Sequence, residues 1–142
     1  DYLLDLGAWE VMDREAFFSQ DDRPLLRTRW SGVVDTVGGN ILATALKTTA
    51  YGGAVVCCGM AASPQLETNV YPFILRDVSL LGVSSAECPM PLRKRMWEQL
   101  GSDWKIAKLD TITREICLPE VEPYITDFLS GQNYGRMVVR IA

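Results

Sequence analysis

The sequence predicts an α/β fold built on a mostly parallel, doubly wound sheet, and three observations support this. Short β-branched, apolar runs recur at residues 30–37, 54–58 and 78–85, the texture of strands buried on both faces. Segments with helical start and stop residues separate them, as parallel pairing requires of its crossovers. Glycines mark the ends of both kinds of segment, as in Gly38-Gly39, Gly59 and Gly101.

Taken in order, Tyr2-Leu3-Leu4-Asp5-Leu6 reads as the last turns of a helix ended by Gly7. Glu10-Val11-Met12 reads as a short strand closed by Asp13-Arg14. Residues 15–20 suit a helical turn, and Pro24 suits the first position of another. The run over 30–37 predicts a buried strand broken by Gly38-Gly39, with Asn40 as the N-cap of a helix over 41–48. Gly52-Gly53 part that helix from the strand over 54–58. After Pro64 and the stretch from Tyr71 to Arg76, the next strand falls within 78–85. Pro89 and Pro91 introduce a helix that runs to Leu100 and stops at Gly101. The tail reads as a strand over 112–118, a helix opened by Pro119 and ended by Gly131, and a strand over 136–141.

At 142 residues the chain is long enough to bury an apolar core, and 48% hydrophobic content is that of an ordinary globular domain. The 14 basic and 18 acidic side chains leave a net charge of −4, which speaks against nucleic acid as a partner. The densest basic cluster, Arg93-Lys94-Arg95, is the solvated face of a helix. No apolar run approaches the roughly 18 residues of a spanning helix, so no membrane role is expected. The four cysteines, Cys57, Cys58, Cys88 and Cys117, form no C-x-x-C pair, and there is no histidine to complete a metal site. They read as free thiols of a reducing cytosol. The absence of histidine also excludes a Ser–His or Cys–His nucleophile within these residues.

Leu6-Gly7-Ala8 with Glu10-Val11, Val34-Asp35-Thr36-Val37-Gly38-Gly39, Tyr51-Gly52-Gly53 and Cys58-Gly59-Met60-Ala61 together resemble the cofactor domain of medium-chain dehydrogenases/reductases. The stretch from Tyr71 to Ser85, headed by Tyr71-Pro72-Phe73-Ile74-Leu75-Arg76 and followed by Cys88-Pro89-Met90, is more specific. It resembles the zinc-independent branch of quinone oxidoreductases and NADPH-dependent acrylyl-CoA reductases. The resemblance implies a partial NADP-binding Rossmann domain over 1–108. It also implies a tail over 109–142 that returns to a substrate domain. The family cradles the pyrophosphate in a glycine-rich turn at a helix N-terminus, and no G-x-G-x-x-G stands in this sequence. The chain is therefore expected to begin within the second helix of that domain. The usual strand order 3-2-1-4-5-6 would then leave the strand at Glu10 without a neighbour.

By the same resemblance the cofactor is NADP(H), and Arg14, Met60, Ile74 and Ser85 are its contacts. Arg14 would pair with the 2′-phosphate, since a guanidinium matches phosphate oxygens; the alternative is a surface arginine paired with Asp13 or Glu15. Met60 would lie along the nicotinamide ribose, the alternative being a methionine that fills a gap. Ile74 would pack on the nicotinamide, and Ser85 would bond its carboxamide or simply end a strand. Residues 36–39 would form a backbone wall. No catalytic residue and no metal ligand is assigned. The complete protein would move hydride from NADPH to an activated C=C bond of an acyl-CoA or quinone-like small molecule. It would be a homodimer joined through strand 78–83, unless the following helix covers that edge. A non-catalytic NADPH sensor and an assembly module are the rival readings.

Overall fold

A computed structural model describes residues 2–18 and 22–141. The chain divides into two compact units, Asp1–Cys88 and Pro89–Ala142.

The first unit opens with helix α1 (Tyr2–Asp5). The amides of Gly7 and Ala8 close it by donating to the carbonyls of Leu4 and Leu3, at 2.9 and 3.0 Å. The strand expected at Glu10-Val11-Met12 does not form. Its N–H and C=O groups have no described strand beside them, and a ladder needs both sides. Among the described residues, one side-chain contact reaches this segment, and a ring pair lies just beyond it. Arg29 Nη2 donates to the Met12 sulfur at 3.8 Å, and the Phe17 and Trp30 rings lie 6.4 Å apart. Helix α2 (Arg14–Phe17) is shorter than the turn expected over 15–20, of which Ser19 and Gln20 lie outside the described residues.

No helix starts at Pro24. The backbone there closes another helix end: the amides of Leu26 and Arg29 donate to Lys47 O and Thr48 O at 3.0 and 2.8 Å. Those carbonyls end helix α3 (Gly39–Thr48), which runs directly into strand β2 (Thr49–Cys57). Strand β1 (Trp30–Asp35) precedes α3, and helix α4 (Tyr71–Arg76) with strand β3 (Ser79–Gly82) follows β2. The sheet order is β1-β2-β3, with both pairings parallel. Gly52-Gly53, expected to precede β2, lie inside it. Trp30 faces Thr49 while Gly32 faces Ala54, so β2 bulges between those two partners.

Val33, Val55 and Leu80 occupy one row across the sheet and pack with Leu42, Leu46, Phe73 and Val78. Leu46 and Val55 are wholly buried, each worth roughly 1.5–3 kcal/mol. The alternate row, Val34, Val56 and Leu81, points to the other face, where Val34 is 74% and Leu81 51% exposed. Of the helices that cover such a sheet, α3 and α4 share one face. Strands added in one direction by right-handed crossovers put successive helices on the same side.

The second unit carries helix α5 (Met90–Gly101), introduced by Pro89 as expected. Strands β4 (Thr113–Cys117) and β5 (Arg136–Arg140) pair in parallel around helix α6 (Val121–Leu129). A 3-10 turn, Leu118–Glu120, takes up the expected helix start at Pro119, and Glu120 Oε2 accepts the Cys117 amide at 2.6 Å. Arg114 lies 4.6 Å over the Tyr124 ring.

In the first unit one side chain joins three segments. The Arg76 guanidinium donates to Leu26 O at 2.6 Å, Lys47 O at 2.9 Å and Thr49 O at 3.3 Å. Replacing it with Met leaves those part-buried carbonyls without a charged donor. Arg76→Met is expected to lower unfolding free energy by about 2 kcal/mol. The exposed Lys94→Met should change it by less than about 0.5 kcal/mol in the same urea titration.

Candidate functional site: a crevice at the carboxyl ends of the strands

Because β1, β2 and β3 run parallel, the chain leaves the sheet from all three at one end, after Asp35, Cys57 and Gly82. Two of the exit loops lie against each other. Ala62 N–H donates to Val37 O at 2.9 Å, Ala61 N–H to Thr36 O at 3.3 Å, and Gly38 pairs with Ser63 in an isolated bridge.

Asp35, 4% exposed, sits beneath this contact. Its carboxylate accepts the Gly38 amide at 3.0 and 3.2 Å, the Val37 amide at 3.3 Å and the Cys57 thiol at 3.6 Å. Its backbone carbonyl accepts the Cys58 amide at 2.9 Å. The expected capping by Asn40 is therefore corrected. Helix α3 begins at Gly39 with Gly38 as N-cap and no side-chain cap bond, and Asp35 reaches forward from the strand end to hold that amide. A buried carboxylate needs donors, and the exit turn supplies them. Sequence reasoning gave Asp35 no role, although a carboxylate inside a buried apolar run just ahead of a diglycine was the available signal.

Glycine is required at this wall. Gly38 adopts φ +73°, and a Cβ there would strike the Ser63 carbonyl oxygen; a Cβ on Gly59 would lie 2.5 Å from Thr36 O. Two open hollows of about 830 and 540 Å³ flank the turn, with Gly38, Gly39, Ser63 and Gln65 lining both. Arg14 lines the larger one. Cys58, Gly59, Met60, Val83 and Ser84 line the smaller. The crevice thus runs from a cationic side chain, past bare backbone, to an apolar end where Met60 is 68% exposed.

Of the four residues expected at a cofactor, Arg14 lines the larger hollow and Met60 the smaller. Arg14 is exposed, and among the described residues it makes no ion pair with Asp13 or Glu15. Ser85 stands one residue past the lining, where Val83 and Ser84 are found. Ile74, on α4, is 69% exposed and lines neither hollow. Among the described residues no group of three or more His, Cys, Asp or Glu side chains is placed to hold a metal ion, and no helix is long and apolar enough to cross a membrane.

Glu15 and Glu67 line the larger hollow beside Arg14, so that end is charged with both signs, while the other end is apolar. Comparison with known proteins is more specific. Residues 1–102 match the model of a family described as zinc-binding dehydrogenase. The chain is 42% identical to YhfP of Bacillus subtilis, a candidate quinone oxidoreductase, over 99% of its own length and 43% of that protein's. The YhfP crystal structure with NAD bound superposes with a TM-score of 0.92. An acrylyl-CoA reductase of Ruegeria pomeroyi is 38% identical, with 99% of this chain and 43% of that one covered. The structure of Escherichia coli YhdH with bound NADPH gives a TM-score of 0.87 at 38% identity, over 99% of this chain and 43% of that one. The fold is thus the Rossmann-like α/β fold, and the chain spans 43% of the length of these relatives.

The glycine requirement is testable without any ligand. Gly38→Ala combines a left-handed backbone with a steric clash and is expected to cost about 2 kcal/mol or more of stability. Gly101→Ala, with open space around its Cβ position, should be neutral or stabilising by up to about 1 kcal/mol. Thermal unfolding of the two variants checks both.

Proposed function

Since the chain belongs to the zinc-binding dehydrogenase family, within the medium-chain dehydrogenases/reductases, we propose that it forms the NADPH-holding part of an oxidoreductase. The reduced substrate is an activated alkene, such as an acrylyl thioester or a quinone-like enone. The observation that carries this reading is the crevice that joins Arg14 to Met60 along the glycine wall. When bound, the dinucleotide supplies the hydride. The residues of this chain bind and orient it. Arg14 offers five fixed donors to the 2′-phosphate. Gly38, Gly39 and Gly59 let the two exit loops pack together into the wall along the ligand's middle. Met60 gives the ribose and ring an apolar surface, with Ile74 and Ser85 assigned to the nicotinamide end. Relatives solved with NAD and with NADPH support a pyridine dinucleotide as the ligand.

The proposal assigns residues 1–108 to the cofactor domain and 109–142 to a tail that joins the substrate domain. Substrate contacts and the proton donor come from that other domain. The cysteines are free thiols, which suits the cytoplasm. β3 pairs only with β2 among the described strands, and its open edge supports a homodimer built across residues 78–83.

The test is a titration of the complete protein with NADPH and NADH. Arg14→Ala should weaken NADPH about tenfold, the loss of roughly one charge-assisted hydrogen bond, and leave NADH within about twofold. An unchanged preference would remove Arg14 from the site. Tight NADPH binding with no reduction of enones or acrylyl thioesters would favour a sensor over an enzyme.

A further inference from the structure

The arginine and the apolar end of the crevice account for its two extremities, but the wall between them is held from below. Two successive amides of the Gly38 turn are taken by one side chain. Asp35 binds Val37 N–H and Gly38 N–H, and it also binds the thiol of Cys57 at the end of the neighbouring strand. The backbone links across the crevice floor, Cys58 N–H to Asp35 O and Ala62 N–H to Val37 O, do not involve this carboxylate and would outlast its removal. Asp35 lies on the core face of the sheet, two residues beyond Val33, and its partner Cys57 packs against the core, so the carboxylate ties the turn to the core's upper edge.

We propose that Asp35 is a positioning residue for the dinucleotide: its buried carboxylate fixes the Gly38–Gly39 turn, the wall common to both hollows of the crevice. The proposal rests on the reading of that crevice as the NADPH site. A hydrogen-bonded turn presents its backbone in one arrangement, so binding need not order it first. Without the carboxylate, Gly38 keeps its left-handed freedom, and the wall samples several shapes when empty.

The test uses the complete protein with Asp35→Asn and Asp35→Ala. Asparagine preserves size and one acceptor oxygen, so it remains informative where the alanine variant folds poorly. Two readouts are taken: amide exchange over residues 36–40 without cofactor, and the NADPH dissociation constant by fluorescence. KM values for NADPH and for the alkene are then measured separately. Faster exchange at 36–40, unchanged exchange around Val55, and a rise of about tenfold in Kd and KM for NADPH with alkene KM unchanged support the proposal. The Asn variant should fall between wild type and Ala. A loosened turn with NADPH affinity within about twofold of wild type overturns it. So does a parallel rise in both KM values with faster exchange around Val55, which marks a general loss of structure. A wild-type protein that binds no NADPH overturns the functional reading itself, and the exchange data tell that case apart, because the turn would still loosen in the variants.

Discussion

Parallel pairing is the constraint from which the rest of the first unit follows. Strands that run the same way must be left at the same end, so the segments after β1, β2 and β3 have no choice but to meet. Their return journeys take up the helices, and one-directional addition puts α3 and α4 together on one face. The opposite face keeps Val34 and Leu81 open. Everything proposed about a ligand depends on that meeting of exits. Residues far apart in sequence, such as Arg14, Gly38 and Met60, become parts of one surface without any long-range side-chain contact among them.

Within the meeting point the polar accounting is tight. A carboxylate buried to the extent of Asp35 survives because the turn that follows it supplies N–H donors, and that turn is regular because the carboxylate is there. At the other end of the same layer, Arg76 performs the matching task for carbonyls of α3, β2 and the loop at Leu26. An anion gathers amides where the strands end, and a cation gathers carbonyls where the crossover helix ends.

The strands and longer helices were legible because their cause is local. The β-branched run through Val33-Val34 and the proline-led helix at Met90 carry their periods in their own residues. The misread places are those whose structure depends on something distant. Glu10-Val11-Met12 has strand-like residues but, among the described residues, no strand beside it. Pro24 could start a helix, yet the chain there serves the end of α3. Asn40 has the chemistry of a cap, but the helix starts before it, at Gly39, which leaves Asn40 inside the first turn. At the crevice, Arg14 and Met60 could be proposed from the sequence because a family pattern names their positions. Asp35 could not, since its importance comes from burial, and one sequence does not display burial.

The direct passage of α3 into β2 has a further consequence. The chain from Gly39 to Gly59 starts and finishes on the glycine wall of the crevice, and it crosses from Thr48 to Thr49 with no loop between. A span of this kind works as a measured tie-bar, and its length is part of the design. Evolution or an engineer has almost nowhere within it to add or delete a residue without sliding Val55 off Val33 and shifting Gly59 against Thr36. The bulge at Gly52-Gly53 is the one place with slack, so changes in length along this span should be accommodated there.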